Sequence, residues 1–421
     1  MRFLFRALQY RNYRLFFSGQ SISLIGTWMQ RIALGWLVYR LTHSPILLGL
    51  TGFSSQFPTF IFAPFAGVFA DQWNRHRILV ITQILAMVQA LILAALVLTN
   101  TITVPYIIVL SISLAIINGF DIPARQSFVI DMVENKNDLG NAIALNSAMF
   151  NSARLIGPSI AGVLIAIVGE GICFLINGIS YIAVIIALLL MRLKPRQKIT
   201  VKKHVFQEMK HGLIYTVRSE KIRSILLLLA LVSLVGMPYA ILMPIFAQDV
   251  LQGGPSTLGF LVGAAGIGAL IGAGLFASRR NAEGLEKAIP LATTTFGLGL
   301  IVFSYSRILW LSMIFMVITG FGMMVQMISS NTLLQTVVDD DKRGRVMSFY
   351  AMSFMGMAPI GSLLGGWAAK LIGAPNTLLF GGITCIIGAL LFIHKLKLAK
   401  AITRSLGKAL GIDYPEDTPG S

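Results

Sequence analysis

The chain has 421 residues, 56% of them hydrophobic and only 12% charged, with a mean hydropathy of +0.78. Soluble chains carry about 25% charged residues, so this composition excludes a soluble multidomain enzyme and indicates a polytopic helical membrane protein. The formal charge of +17 would suit a nucleic-acid binder, but its placement along the chain assigns it to topology instead.

A helix needs about 20 apolar residues to cross a bilayer. The hydrophobic pattern predicts twelve such spans, at 13–40, 45–70, 76–99, 104–130, 139–168, 171–191, 221–248, 255–278, 285–306, 309–336, 344–372 and 376–394. The opening MRFLFRALQYRNYRLFF has too little uninterrupted apolar length before Arg11 and Arg14 for a cleavable signal, so the first span is expected to stay as an anchor. With a cytoplasmic N-terminus, 29 of the 34 Lys and Arg fall in inner segments, and the outer loops hold Arg40, Arg307 and Lys370. That split follows the positive-inside rule. It places both termini in the cytoplasm, predicts a multi-pass protein of a bacterial inner membrane, and leaves no role for nucleic acid. Cys173 and Cys385 lie in apolar segments without metal or disulfide spacing.

Residues 192–220 are basic and too polar to span, and they divide the chain into a six-span bundle at 1–191 and another at 221–396, followed by a basic tail at 397–421. Within the linker, Phe206, Met209, Leu213 and Val217 recur at helical spacing opposite Lys202, Lys203, Lys210 and Arg218. The pattern predicts a helix lying on the anionic inner leaflet. The bundles share a faint repeat. NGFDIPARQS from Asn118 and TGFGMMVQMI from Thr319 align Gly-Phe at an offset of 201, which also pairs Ser147 with Ser348, Ser152 with Ser353 and Pro158 with Pro359. Pro45 and Gly49 pair with Pro255 and Gly259 at an offset of 210. Duplicated halves of this kind place a substrate path along their interface.

Between the second and third spans the chain reads GVFADQWNRHR. Gly67 permits close helix approach, and Asp71 is a carboxylate able to accept from the amides of another helix's N-terminus. Asn74 suits a left-handed turn, and Arg75 and Arg77 stand ready to pair with Asp71 or with carboxylates of the next inner loop. Such charge-assisted contacts at the rim would make a latch. The stretch resembles the signature loop of the major facilitator superfamily, Gly-x-x-x-Asp-Arg/Lys-x-Gly-Arg-Arg/Lys: Gly67, Asp71 and Arg75 match, while Gln72, Asn74 and His76 depart from it. TWMQRIALGWLVYRLTHSP, FDIPARQSF, NAIALNSAMFNSARLIGPSIAGVLI and RGRVMSF extend the resemblance to the exporter branch that includes enterobactin-type siderophore exporters and macrolide efflux pumps. It implies an all-α fold of twelve helices in two pseudo-symmetric six-helix bundles. It also implies that Asp71 caps the eleventh helix near Arg343 and Arg345 when the cytoplasmic side is closed. The equivalent loop of the second half has Ser278 in the place of Asp71, so its latch should be weaker.

Arg31 and Arg154 lie mid-span, and Asp121 lies in the inner third of the fourth span. Intramembrane ionisable groups cost at least ~2.5 kcal/mol on insertion scales and normally face a partner or a cavity. Ser147, Asn151, Arg154 and Pro158 form one helical stripe; Asn118, Asp121 and Arg125 another; Gln20, Thr27 and Arg31 a third. The pattern predicts an ion-pair network of Arg31, Asp121 and Arg154 beside the substrate path. It either holds helices together or, with Asp121 titrating, couples transport to proton entry; Arg154 alternatively holds an anionic group of the substrate. The fifth-span motif Gly-x-x-x-Gly-Pro-x-x-Gly-Gly of drug–proton antiporters appears as Ala153-x-x-x-Gly157-Pro158-x-x-Ala161-Gly162, and the arginine signature of their fourth helix is absent. On the other wall, Gln326, Met327, Met352 and Met355 are expected in the cavity with Asn118, Ser147 and Asn151, methionine being suited to varied apolar ligands. GAAGIGALIGAG, Gly263 to Gly274, lies mid-span without the Lys-Ser/Thr ending of a phosphate loop and reads as close packing.

The expected function is alternating-access export of a small amphipathic, siderophore- or drug-like molecule by proton antiport. A lysophospholipid flippase of the same fold and a non-transporting receptor are the alternatives. The expected partners are the substrate and membrane lipids, with a functional monomer, no enzymatic activity and no cofactor or metal beyond the proton gradient.

Overall fold

The computed structural model describes residues 5–192, 214–217, 219–277 and 284–409, and the side chains at 64–65, 67–72, 136, 277, 340–341 and 396–409 lie outside that description. Twelve long helices follow in order: α1 Arg11–Thr42, α2 45–72, α3 Arg75–Leu98, α4 Val104–Met132, α5 Leu139–Val168, α6 Glu170–Leu189, α7 Glu220–Val250, α8 Pro255–Ala277, α9 Leu285–Tyr305, α10 Leu309–Val337, α11 340–372 and α12 Ala374–Ala409. All but α1 are long and apolar enough over an 18-residue window to cross a bilayer. In α1 the polarity turns inward: Gln20, Ser23 and Gln30 are buried, so an average over its sequence understates its fitness for lipid. The observed bounds follow the predicted ones within a few residues except at the end, where α12 runs on to Ala409 through the stretch expected to be tail.

The turns are set by local chemistry. His43 ends α1 in the left-handed region at φ 46, and Ser44 then caps α2, accepting from Leu47 N with Pro45 at the first helical position. Gly169 and Gly373, both near φ 80, make the α5–α6 and α11–α12 turns, equivalent places in the two halves. Asn74 does not take the left-handed turn expected of it. At φ −71 it is the N-cap of α3, its side-chain oxygen accepting from His76 N and Arg77 N, because two orphan amides at a helix start are better satisfied by an Asx cap.

The packing repeats. In the first half α1 packs on α5 and α6, α3 on α4 and α6, and α2 on α4; adding six to each number gives the packing of the second half. The halves meet where α5 crosses α8 and α2 crosses α11. Both crossings are backbone on backbone. A Cβ on Gly162 would stand 2.8 Å from Gly259 Cα and 2.8 Å from Pro255 O, and one on Gly49 would stand 2.7 Å from Ser362 O and 3.0 Å from Gly366 Cα. The seams are images of one another, and Gly49 and Gly259 are the pair related by the 210-residue offset.

Both described ends of the chain lie on one face, the terminal face, and the two seams lie toward the opposite, distal face. The buried core follows suit. One cluster runs through the second half and joins the first only through its distal part, Trp36, Tyr39, Leu48, Ile165 and Phe174 among others. The terminal part of the first half has a separate core built on Tyr13, Phe16, Phe128, Met132 and Leu188. The halves are therefore fused distally and carry separate cores at the terminal face. The distal contact is reinforced by Tyr39 of α1, whose hydroxyl donates to the Asp249 carboxylate of α7.

Among the described residues, three π-helical turns interrupt the second half: Val232–Gly236 and Phe246–Val250 in α7, and Met352–Gly356 in α11. The first and third touch, and the Ser233 hydroxyl donates to Phe354 O at 2.7 Å, satisfying a carbonyl in the widened turn.

Candidate functional site

The loop after α2 braces the first half. Arg75 donates to Ser127 O at 3.0 Å and lies 3.6 Å from the Asp131 carboxylate, both on α4. The His76 ring reaches Leu188 O at 2.8 Å, at the end of α6. Arg77 is exposed. The side chains of Gly67 and Asp71, with Ser278 of the second-half loop and the linker face of Phe206, Met209 and Leu213, lie outside the described residues. The turn before α11 has its own cluster. Asp339 accepts from Lys342 at 3.0 Å and from Tyr215 of the linker end at 3.3 Å, and Lys342 stands 4.6 Å from the Tyr215 ring centroid. The hydrogen bond from Lys342 holds the Asp339 carboxyl below its ordinary range. Arg343 and Arg345 fall in the first turn and a half of α11, which begins at Asp340.

The predicted ion-pair network of Arg31, Asp121 and Arg154 does not form. Asp121, 4% exposed, accepts from the Thr82 hydroxyl at 2.9 Å and the Gln83 amide at 2.8 Å, both on α3, and pairs with Arg125 Nε at 3.5 Å one turn along α4. The physical reason is register: an i,i+4 arginine and two α3 side chains already engage both carboxylate oxygens, and the mid-span arginines sit on another face. Arg31 and Arg154 meet elsewhere. The Arg31 guanidinium lies 4.6 Å from the centroid of Trp28, and that of Arg154 lies 5.9 Å from the same ring. Gly157 makes this possible, since a Cβ there would stand 2.6 Å from Trp28 Cβ. Phe150 closes the ring's edge at 5.7 Å. Arg31 is exposed and Arg154 half-buried. Among the described residues neither arginine has a carboxylate within salt-bridge distance.

Trp28 and Phe150 are absent from the sequence-based assignment, although a signal existed: Trp28 precedes Arg31 by one turn and Gly157 follows Arg154 by one turn, so both mid-span charges bracket the same place. In the other half, the hydroxyl of Tyr239 on α7 points at Met323 Sδ, 4.0 Å away on α10.

The cavity residues divide. Asn118 and Asn151 are half-buried and Ser147 is exposed, with Asn151 donating to Ser147 O at 2.9 Å. Met352 and Met355 are exposed, 38% and 45%, on the π turn of α11. Gln326 does not line an open cavity. It is 1% exposed, and neither its amide nitrogen nor its oxygen has a hydrogen-bond partner among the described residues. It follows Gly322 by one turn on the face that packs against Phe296 and Ala292 of α9, which directs it between helices. Met327 likewise packs against the core, and its carbonyl accepts from Tyr350.

The described residues thus give a charged, aromatic-backed wall on α1 and α5, in a molecule whose halves share their core distally. The chain is 28% identical over 391 residues to the staphyloferrin A transporter of Staphylococcus aureus, covering 91% of this chain and 97% of that one. It is 24% identical over 361 residues to the multidrug efflux pump Tap of Mycolicibacterium fortuitum, covering 83% and 87%. Among solved structures, a bacterial homolog of the human lysosomal transporter Spinster, inward-facing and unoccupied, superposes with a TM-score of 0.72 at 14% identity, over 92% of this chain and 97% of that one. The family described as transmembrane secretion effector matches residues 4–409, nearly the whole chain and both halves with their seams. The protein is a multi-pass membrane transporter of small molecules, and it belongs to the transmembrane secretion effector family of the major facilitator superfamily.

Proposed function

We propose that this protein exports a small amphipathic organic molecule, siderophore- or drug-like, from the cytoplasm of a bacterium across the inner membrane by alternating access. The observation that carries the reading is the arrangement of the cores: the halves share one core distally and keep separate ones at the terminal face. With the basic segments on the cytoplasmic side, this is the state that admits cargo from within. Rocking about the paired glycine seams would close the terminal face and release cargo outside. The rim loop, with Asp71 against the start of α11, is the latch of that second state.

Proton return supplies the driving force in this reading, and Asp121 is its carrier. It is a buried carboxylate whose charge is held by Arg125 and two neutral donors. Protonation would free Arg125 and loosen α3 from α4. The test compares retained substrate in cells with and without the protein, then flux in inside-out vesicles acidified internally. Uptake by the acidified vesicles, abolished in Asp121→Asn, is the expected result. Uptake indifferent to the gradient and to Asp121→Asn would refute proton coupling, and equal retention in the two cell lines would refute export.

A further inference from the structure

We infer that Trp28, Arg31 and Arg154 form the binding site for an anionic, carboxylate-bearing organic ligand, so that the cargo of the proposed exporter is an organic anion. The inference rests on the transport reading and adds the chemical class of what is carried. Two guanidiniums share one indole ring, at 4.6 and 5.9 Å, which sets two like charges against one side chain. Cation–π contact with an indole compensates only in part for two like charges placed at mid-span. Something else balances them when the site is in use.

Among the described residues no carboxylate lies within salt-bridge distance of either arginine. The carboxylates of Asp121, Asp131, Glu170 and Asp249 are each engaged: by Arg125, by Arg75, by Arg40 through two contacts of 2.7 and 3.2 Å, and by Tyr39. Arg31 is exposed, and Arg154 is half-buried.

The geometry also says why arginine and tryptophan occur together. The ring restricts both guanidiniums before any ligand arrives, so the forks are available for bidentate pairing with a carboxylate at little further entropy cost. Phe150 and the ring edge give an apolar surface beside the charges. A cationic cargo meets two like charges and no described acceptor carboxylate, and is excluded by the same arrangement.

The test uses the full chain in nanodiscs and isothermal titration calorimetry with terephthalate, a planar dicarboxylate. Its neutral dimethyl ester and tetraphenylphosphonium, an aromatic cation, are the comparators. Saturable terephthalate binding is expected, with the ester weaker by at least about 10-fold. Arg31→Gln or Arg154→Gln is expected to weaken terephthalate by about 10- to 100-fold, the worth of one charge-assisted contact. Arg→Lys at either position should restore part of the loss, which a merely structural role would not show. The lysine variants also keep the test alive if the glutamine variants fail to fold. Equal affinity for diacid and ester, unchanged terephthalate affinity in the folded double glutamine variant, or preference for the cation would overturn the inference. Counterflow in proteoliposomes separates the two readings. Cation flux without anion binding overturns the anion site and leaves the transporter; anion binding without flux of any probe supports the site and overturns the transporter.

Discussion

Adding one methyl group at each distal seam should hold the distal face open. An ideal Cβ on Gly162 stands 2.8 Å from Gly259 Cα, and one on Gly49 stands 2.7 Å from Ser362 O. Carbon contacts settle at about 3.5–4.0 Å, so each methyl asks its crossing to widen by roughly 1 Å. The obstructing atoms are backbone on both sides and have no rotamer to yield. Overpacking of this kind costs about 1–3 kcal/mol, while alanine in place of a helical glycine returns about 0.5–1 kcal/mol in either state. Because the propensity gain is common to both states, only the packing cost moves the equilibrium, and about 1–3 kcal/mol is a shift of roughly 5- to 150-fold. The assay is pulsed electron–electron distance measurement between spin labels at Thr101→Cys and Arg307→Cys, on distal turns of opposite halves, the native Cys173 and Cys385 being buried. Gly162→Ala and Gly49→Ala should each populate longer distances, and together more so. Gly140→Ala, where a Cβ meets nothing within 4 Å, should change nothing. Distances unmoved by the seam variants, accompanied by a higher Tm, would show that the seams are not the contact that shuts this face.

Tyr39→Phe removes the donor to Asp249 across the halves. It should lengthen the same distances with little loss of Tm, and a loss of folding without a change in distances would assign the pair to stability alone. Gln326→Leu replaces a buried amide that has no described partner and should raise the Tm, since an unmet buried polar group costs about 1–3 kcal/mol; a lower Tm would mean that the amide has a partner in the membrane. At Asp339 the pKa is depressed by Lys342, so the tie to Tyr215 is fully present above the ordinary value of 3.8 and is lost only as pH falls through the lower folded value. Amide exchange at the α10–α11 turn, corrected for its intrinsic rate, should therefore stay flat from neutral pH down past that value; acceleration near neutral pH would refute the assignment.

Span positions, the halves and the repeat could all be read from the sequence because lipid imposes one requirement on every exposed turn. The pairing of Pro45 and Gly49 with Pro255 and Gly259 even marked the seams, though as a repeat and not as a contact. The site was less legible. Arg31 and Arg154 stood out because charge is rare in such a chain, but sign alone made Asp121 their partner, whereas register gave it to Arg125. Trp28 was hidden among many aromatic residues, since its importance comes from Gly157 of another helix leaving it room. Gln326 was assigned to the cavity because a glutamine in a span invites that reading, yet one turn of helix decides between a cavity and a helix interface. The π turns carry no sequence signature at all, because they record a spare residue in a hydrogen-bond ladder and not a residue type.

That spare residue makes the second half tolerant of a change that would be ruinous elsewhere. Shortening a regular helix by one position turns everything beyond it by about 100°, scrambling which side meets lipid and which meets protein. Within Met352–Gly356 of α11, the same deletion would let the ladder relax to ordinary spacing, and the residues beyond, Gly366 at the seam included, would keep their bearings. Single-codon deletions walked along α11 should accordingly find one permissive window there, bounded on both sides by positions where the transporter is lost.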